Sequence, residues 1–336
     1  MKKVGVIFLA LFFLLFQIST FAYAEEVDKA MEENQEVYEE IPIEGEEVKE
    51  EANIEESNEN KEEADPKLRE KYELLRQENL NLRKEILRLH NKYSNGAAEK
   101  IPVFLYHHIL PQEYIEKYNW TDNNSVLSVE AFKEQMDFLY ENGFYTATLD
   151  ELKAFLDGEI TLPKKTVVLT FDDGYLSNVI YAYPIMKEYN FRATIFIHGH
   201  RADGEQVPFD PSTTQTISIY EAYKYRDVFD YGSHTYNLHY INENKEKALL
   251  ASEREVIIED LLKSKELMDT VYFAYPYGAY NEETIEYLKE TGYEMAFTIE
   301  KEYVTNNSDK YRLPRFTVGP KTMTLGLFVQ IAFGYH

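Results

Sequence analysis

Cysteine is absent from all 336 residues. That absence excludes a disulfide framework, a thiolate metal site, a cysteine nucleophile and a lipidated N-terminal cysteine. Any metal must therefore be held by His, Asp or Glu. Basic residues are scarce beside acidic ones: 35 Lys and Arg face 60 Asp and Glu, a formal net charge of −25. Such a balance argues against nucleic acid as a partner, because a phosphate backbone is bound by Lys and Arg that displace its counterions. Tryptophan occurs once, at Trp120, whereas tyrosine occurs 28 times. With 44% hydrophobic and 15% aromatic residues the chain can bury a core, so disorder cannot be global.

Three N-terminal segments differ in chemistry. Residues 1–24 read as an export signal: Lys2 and Lys3 precede an apolar run from Val4 to Phe16, and Ala22-Tyr23-Ala24 supplies small residues before Glu25. The alternative is an uncleaved anchor tied to a membrane or cell wall, although Gln17, Ser19 and Thr20 interrupt the run short of a full span. Either way the expectation is a chain that works outside the cytoplasm, secreted or held at the cell surface. Residues 25–66 read as a disordered acidic linker, with 19 acidic and 3 basic residues between Glu25 and Asp65. Residues 67–94 carry a heptad repeat and read as a short coiled-coil helix. Leu68, Leu75, Leu82 and Leu89 fill one seam position, and Tyr72, Asn79, Ile86 and Tyr93 the other. A homodimer through this helix is one expectation. Leu74, Leu80 and Leu87 lie off the seam and support the other, an amphipathic helix packed on the neighbouring domain.

Residues 97–336 read as one domain in which short β-rich runs alternate with helical stretches. Ile101–Tyr106, Thr166–Phe171, Ala193–His198, Val228–His234, Val271–Tyr275 and Met295–Ile299 are expected strands. Val129–Asn142, Leu149–Leu156, Val179–Tyr189, Lys247–Lys265 and Glu282–Glu290 are expected helices. This α/β alternation predicts a parallel barrel or a doubly wound sheet, and in both the chemistry gathers at the C-terminal ends of the strands.

Three strand ends carry candidate chemistry. The first places Asp172 and Asp173 side by side before Gly174. Adjacent carboxylates repel unless a cation or a proton relieves them. One could ligate a metal while the other acts as a base; the plainer alternative is an acidic turn. The second supplies His234 and His239, which with one carboxylate make a three-ligand set. Their five-residue spacing is not that of a helix face, so a loop must bring them together. The third is Tyr275-Pro276-Tyr277-Gly278, a turn whose backbone N–H groups could face a developing oxyanion, or a simple strand-to-helix loop.

Taken in order, Tyr106-His107-His108, Thr170-Phe171-Asp172-Asp173-Gly174, the His234–His239 pair and Pro276-Tyr277-Gly278 resemble the polysaccharide deacetylases, the NodB-homology family of carbohydrate esterases. The lead-in around Phe132, Leu139 and Leu149–Leu152 and the phrase Ala193–Ile197 extend the resemblance over residues 101–333. The resemblance implies a distorted (β/α) barrel. It implies a divalent metal, zinc first with Co, Ni or Fe as alternatives, on Asp173, His234 and His239. Asp172 corresponds to the general base and the Tyr277 N–H to the oxyanion donor. Tyr175, Tyr275, Pro276 and Gly278 would line the sugar site. The reaction implied is hydrolysis of acetamido groups on an N-acetylglucosamine polymer, either poly-N-acetylglucosamine or peptidoglycan, to free amine and acetate.

Three departures from the family pattern matter. The five-residue histidine spacing, with Leu238 before the second histidine, resembles the branch acting on exported poly-N-acetylglucosamine. Ala274 stands where the family usually has the arginine that holds the base. No Leu-x-His motif near the C-terminus supplies a general acid; His107, at the end of the first strand, is the candidate substitute. These losses keep open a second reading, a weakly active homologue that binds surface polysaccharide. Arg315 is compatible with either orienting a site carboxylate or pairing at the surface.

Overall fold

The computed structural model describes residues 96–335 throughout, together with residue 70 and residues 73–74, 77–78, 80–85 and 87–88. The expected signal and acidic linker lie outside the described residues, as do Leu68, Leu75, Leu89, Tyr72, Asn79, Ile86 and Tyr93 of the heptad.

The core of residues 97–336 is a curved sheet. In chain order its strands are β1 (Val103–Tyr106), β4 (Tyr145–Thr146), β5 (Thr166–Phe171), β6 (Ala193–Ile197), β7 (Phe229–Ser233), β8 (Tyr272–Ala274), β9 (Met295–Phe297) and β10 (Phe316–Thr317). A separate parallel pair joins β2 (His108–Leu110) to β3 (Val126–Ser128). The large sheet runs in the order β10-β1-β5-β6-β7-β8-β9, with β4 also paired to β5, and every pairing is parallel. All six residues of β5 and all five of β6 are buried, as a parallel sheet covered on both faces requires.

The chain between β9 and β10 spans the two ends of this sheet. Ala296 and Thr298 donate to Lys310 and Leu313, while Phe316 pairs with Phe104 of β1. The outer helices include α1 (Val129–Glu141), α2 (Leu149–Leu156), α3 (Tyr183–Glu188), α4 (Arg254–Met268), α5 (Glu282–Glu290) and α6 (Leu325–Ala332). The α2 start is fixed by a capping box, in which Thr148 and Glu151 satisfy each other's backbone N–H groups. Gly143 and Gly292 follow α1 and α5 with φ of 66° and 75°, the left-handed geometry expected after a helix.

All six expected strands form. The helix expected over Lys247–Lys265 does not run unbroken: a short turn, Ala248–Ala251, ends at Ser252, and α4 starts after Glu253, both with extended ψ. Ser252 carries the extended backbone on which the short turn ends, so a single amphipathic pattern hides two elements.

The described residues between 70 and 88 are helical, and two of them are buried on the barrel. Leu87 joins the core cluster of Leu149, Leu152 and Leu162. Arg83 donates to both carboxylate oxygens of Glu151, at 3.1 and 2.9 Å, and to the Thr146 carbonyl at 2.7 Å. Arg226 pairs with Glu73 at 2.6 Å. Leu82, the one described leucine of the seam, is 47% exposed. The side of the segment that carries Arg83 and Leu87 therefore packs on the sheet domain.

Burial raises the Glu151 pKa, but Arg83 overrides it and holds the carboxyl below its ordinary value of 4.5. A depressed folded pKa contributes stability above the unfolded pKa, and that contribution is lost as pH falls through the folded value. Arg83→Ala should therefore cost about 3 kcal/mol at pH 7, and the gap from wild type should shrink below about pH 4.5. Urea unfolding at the two pH values measures both. A gap that does not depend on pH would remove the ion pair from the account.

Candidate active site

Each candidate residue stands on the rim formed by the C-terminal ends of the strands. The β5 strand delivers Asp172 and Asp173, β7 delivers His234, and β8 leads into the Pro276–Gly278 turn. Asp173 takes a left-handed φ of 68°, and Gly174 follows with φ 66°. This double reversal directs two consecutive carboxylates differently.

Asp172 is 3% exposed and points into the barrel. Its two oxygens accept from the Arg315 guanidinium at 2.7 and 2.8 Å. Arg315 is fully buried, donates through Nε to the Thr298 carbonyl at 2.9 Å, and lies over the rings of Phe196 and Phe297. A second guanidinium contact reaches Thr170 Oγ1 at 3.3 Å. Burial pushes the Asp172 carboxyl up, but Arg315 and then His234 outweigh it and hold it at about 2. Of the two readings the sequence left for Arg315, it is the site carboxylate that this residue orients. It brings to Asp172 a guanidinium that Ala274 cannot supply, from a segment about 40 positions later in the chain.

Asp173 Oδ1 lies 3.6 Å from His234 Nε2 and 3.4 Å from His239 Nε2. The three ligand atoms fall within 4.8 Å of one another. A tetrahedral shell with bonds of ~2.0–2.1 Å places neighbouring ligand atoms about 3.3–3.4 Å apart. His234 Nδ1 sits 2.7 Å from the Ala274 carbonyl. A carbonyl can only accept, so this nitrogen carries the proton and Nε2 keeps its lone pair. Burial and the neighbouring His234 push the His239 imidazole down to about 4, which favours the neutral, ligating form. Donor chemistry, spacing and tautomer all fit a divalent cation.

The remaining candidates are placed as follows. Tyr277 is left-handed, with φ 58° and ψ 17°, and its ring lies 4.6 Å from that of His239. Gly278 follows with φ 63°, and a Cβ there would come within 2.4 Å of Ile299, so the turn requires glycine. Tyr175 packs on His108 at 4.7 Å beside Asp173. His107 is half-buried at the end of β1 and near enough for its charge to lower both Asp172 and Asp173. Its Nδ1 is buried and has no hydrogen-bond partner among the described residues. Pro276 is buried in the turn. Tyr275 is fully buried, and its hydroxyl donates to the Tyr311 carbonyl, so its ring belongs to the core and not to a sugar surface.

One residue near the site escaped the sequence reading altogether. Asp260 on α4 accepts from the backbone N–H groups of Tyr236 and Asn237 in the loop between the histidines. Its signal was available: Ile257, Asp260, Leu261, Ser264 and Met268 form the buried stripe of α4, and an acidic residue there needs a partner.

Comparison with known proteins agrees with this geometry. The family model described as polysaccharide deacetylase matches residues 159–296. The chain is 30% identical over 204 residues to the poly-beta-1,6-N-acetyl-D-glucosamine N-deacetylase of Staphylococcus aureus, covering 58% of this chain and 68% of that protein. Among solved structures, IcaB from Ammonifex degensii aligns over 71% of this chain and 99% of its own, at 26% identity and a TM-score of 0.58. The Streptococcus pyogenes deacetylase PplD shares the fold, with a TM-score of 0.57 at 22% identity over 69% of this chain and 97% of its own. The chain belongs to the polysaccharide deacetylase family, hydrolases that act on non-peptide carbon–nitrogen bonds.

Replacing Arg315 by Met would leave the Asp172 carboxylate buried without its partner. The expected loss of stability is roughly 3–5 kcal/mol. Arg315→Lys keeps a charge but not the two-pronged fork, and should fall between Met and wild type. Denaturant unfolding of the three proteins gives the order; a loss under ~1 kcal/mol for Met, the range of a surface pair, would contradict the assignment.

Proposed function

We propose that the chain is an exported, metal-dependent N-deacetylase of an N-acetylglucosamine polymer, with poly-N-acetylglucosamine as the first candidate. The observation that carries this reading is the division of labour between the two adjacent aspartates, Asp172 on Arg315 and Asp173 on the histidine pair. Asp173, His234 and His239 would hold a divalent cation, zinc before Co, Ni or Fe, which would supply Lewis acidity and lower the pKa of bound water towards neutrality.

The protein groups do the rest. Asp172 takes the proton of the attacking water, and Arg315 keeps its carboxylate ionised and fixed in orientation. A carboxylate held near 2 is a weak base, so its part requires water whose own pKa has been lowered. The Tyr277 N–H donates to the acyl oxygen as negative charge gathers there. His107 protonates the departing nitrogen, the C–N bond breaks, and acetate and a free amine result. Tyr175 and the Tyr277 ring offer aromatic surface to the sugar. Support for the poly-N-acetylglucosamine branch comes from the Staphylococcus aureus relative and from the five-residue histidine spacing.

The binding-module alternative drew on the missing base-orienting arginine and on the missing C-terminal general-acid motif; the Arg315–Asp172 pair weighs against the first of these. Export rests on the N-terminal sequence; among the described residues no helix is long and apolar enough to cross a membrane.

Acetate release from poly-N-acetylglucosamine, peptidoglycan glycans and O-acetylated sugars tests the reading. Asp172→Asn should lower turnover by at least 10²-fold while metal binding persists. Release from O-acetyl esters alone would shift the chemistry to an esterase, and full activity of Asp172→Asn would remove the assigned base.

A further inference from the structure

The loop between the two histidines poses a mechanical problem. His234 directly follows β7, but His239 lies five residues on, and its imidazole must meet the same point in space. Thr235 begins the excursion with a left-handed φ of 68°. The loop carbonyls of Thr235 and Tyr236 accept from the N–H groups of Gly199 and His200, at 3.0 and 2.7 Å. Leu238 is buried against α4 and its neighbours Leu249, Ile257 and Leu261.

The loop N–H groups have one acceptor in common. Asp260 Oδ1 accepts from Tyr236 N–H at 2.8 Å and Oδ2 from Asn237 N–H at 2.6 Å, and the Leu238 N–H adds to the same carboxylate. Asp260 is 8% exposed and lies on the apolar stripe of α4, where an acidic side chain is costly unless hydrogen-bonded. Its partners in this site are backbone donors that lie between the two histidines, and no salt bridge of 4 Å or less reaches it among the described residues.

We infer that Asp260 is a positioning residue for the metal centre: its carboxylate clamps the 236–238 backbone and so fixes His239 at the distance from Asp173 and His234 that a cation requires. The inference rests on the proposed metal centre but assigns the geometry of that centre to a residue on a different element. Groups that orient metal ligands are worth about 10–100-fold in affinity. A side chain that only stabilised the fold would change unfolding without changing affinity.

The test uses the full chain and Zn²⁺ alone, with affinity read by competition against a chromophoric chelator and stability read from thermal unfolding of the metal-free protein. Asp260→Asn keeps the volume but replaces one acceptor with a donor, and should weaken Zn²⁺ binding at least 10-fold. Asp260→Ala should weaken it further, with acetate release recovering as Zn²⁺ is raised. Met268→Ala, a buried change at the far end of α4, should lower the melting temperature and leave affinity within about 2-fold. Wild-type affinity in Asp260→Asn would overturn the inference, as would an equal affinity loss in Met268→Ala. If the unaltered chain binds no Zn²⁺, the metal centre itself falls, an outcome distinct from either.

Discussion

The buried pair between Asp172 and Arg315 is the interaction on which the rest of the site depends. Two opposite charges inside a barrel are costly to desolvate, and only a close, two-pronged geometry with every remaining donor satisfied offsets that cost. Arg315 comes near that condition: four of its five N–H donors go to the two Asp172 oxygens, the Thr298 carbonyl and Thr170 Oγ1, and aromatic rings lie over it. Because Arg315 sits between β9 and β10, it also ties the closing segment of the barrel to β5. The segment that closes the sheet also fixes the Asp172 carboxylate.

That pair explains how two neighbouring carboxylates avoid competing. With Asp172 committed to Arg315, Asp173 is free to face His234 and His239, and the left-handed turn at Asp173 separates the two directions. Repulsion between them is relieved on one side by a fixed guanidinium and on the other by imidazoles with a place for a cation. His234 links the two halves, since its Nε2 also lies 4.0 Å from Asp172 Oδ2.

The parts legible in the sequence were those encoded locally. Buried parallel strands such as Thr166–Phe171 announce themselves as apolar runs, and α2 and α5 (Leu149–Leu156 and Glu282–Glu290) carry clean periodicity with capping residues, so their limits match the expectation. The short strands β2, β3, β4 and β10, of two or three residues, offer too few positions for a period to show. The candidate metal set was legible because Asp173, His234 and His239 fall in motifs. Arg315 was visible only as a candidate with two readings, and Asp260 not at all, because each acts across the fold: Arg315 lies more than 140 positions from its partner, and Asp260 more than 20 from the loop it holds. Tyr275 was misjudged as a sugar contact for a related reason. Its motif predicts a rim turn, yet its ring is buried with Phe273 in the core, while Tyr277, two residues on and left-handed, takes the exposed side.

The central claim is that the Asp173–His234–His239 centre drives deacetylation. Its most direct measurement is a titration of metal-free protein with Zn²⁺ in which bound metal and acetate released from poly-N-acetylglucosamine are followed together. The account predicts that activity rises in step with occupancy of a single site, and that His239→Ala loses both at the same Zn²⁺ concentration. Acetate release at full rate from metal-free protein, or from His239→Ala without bound metal, would contradict it.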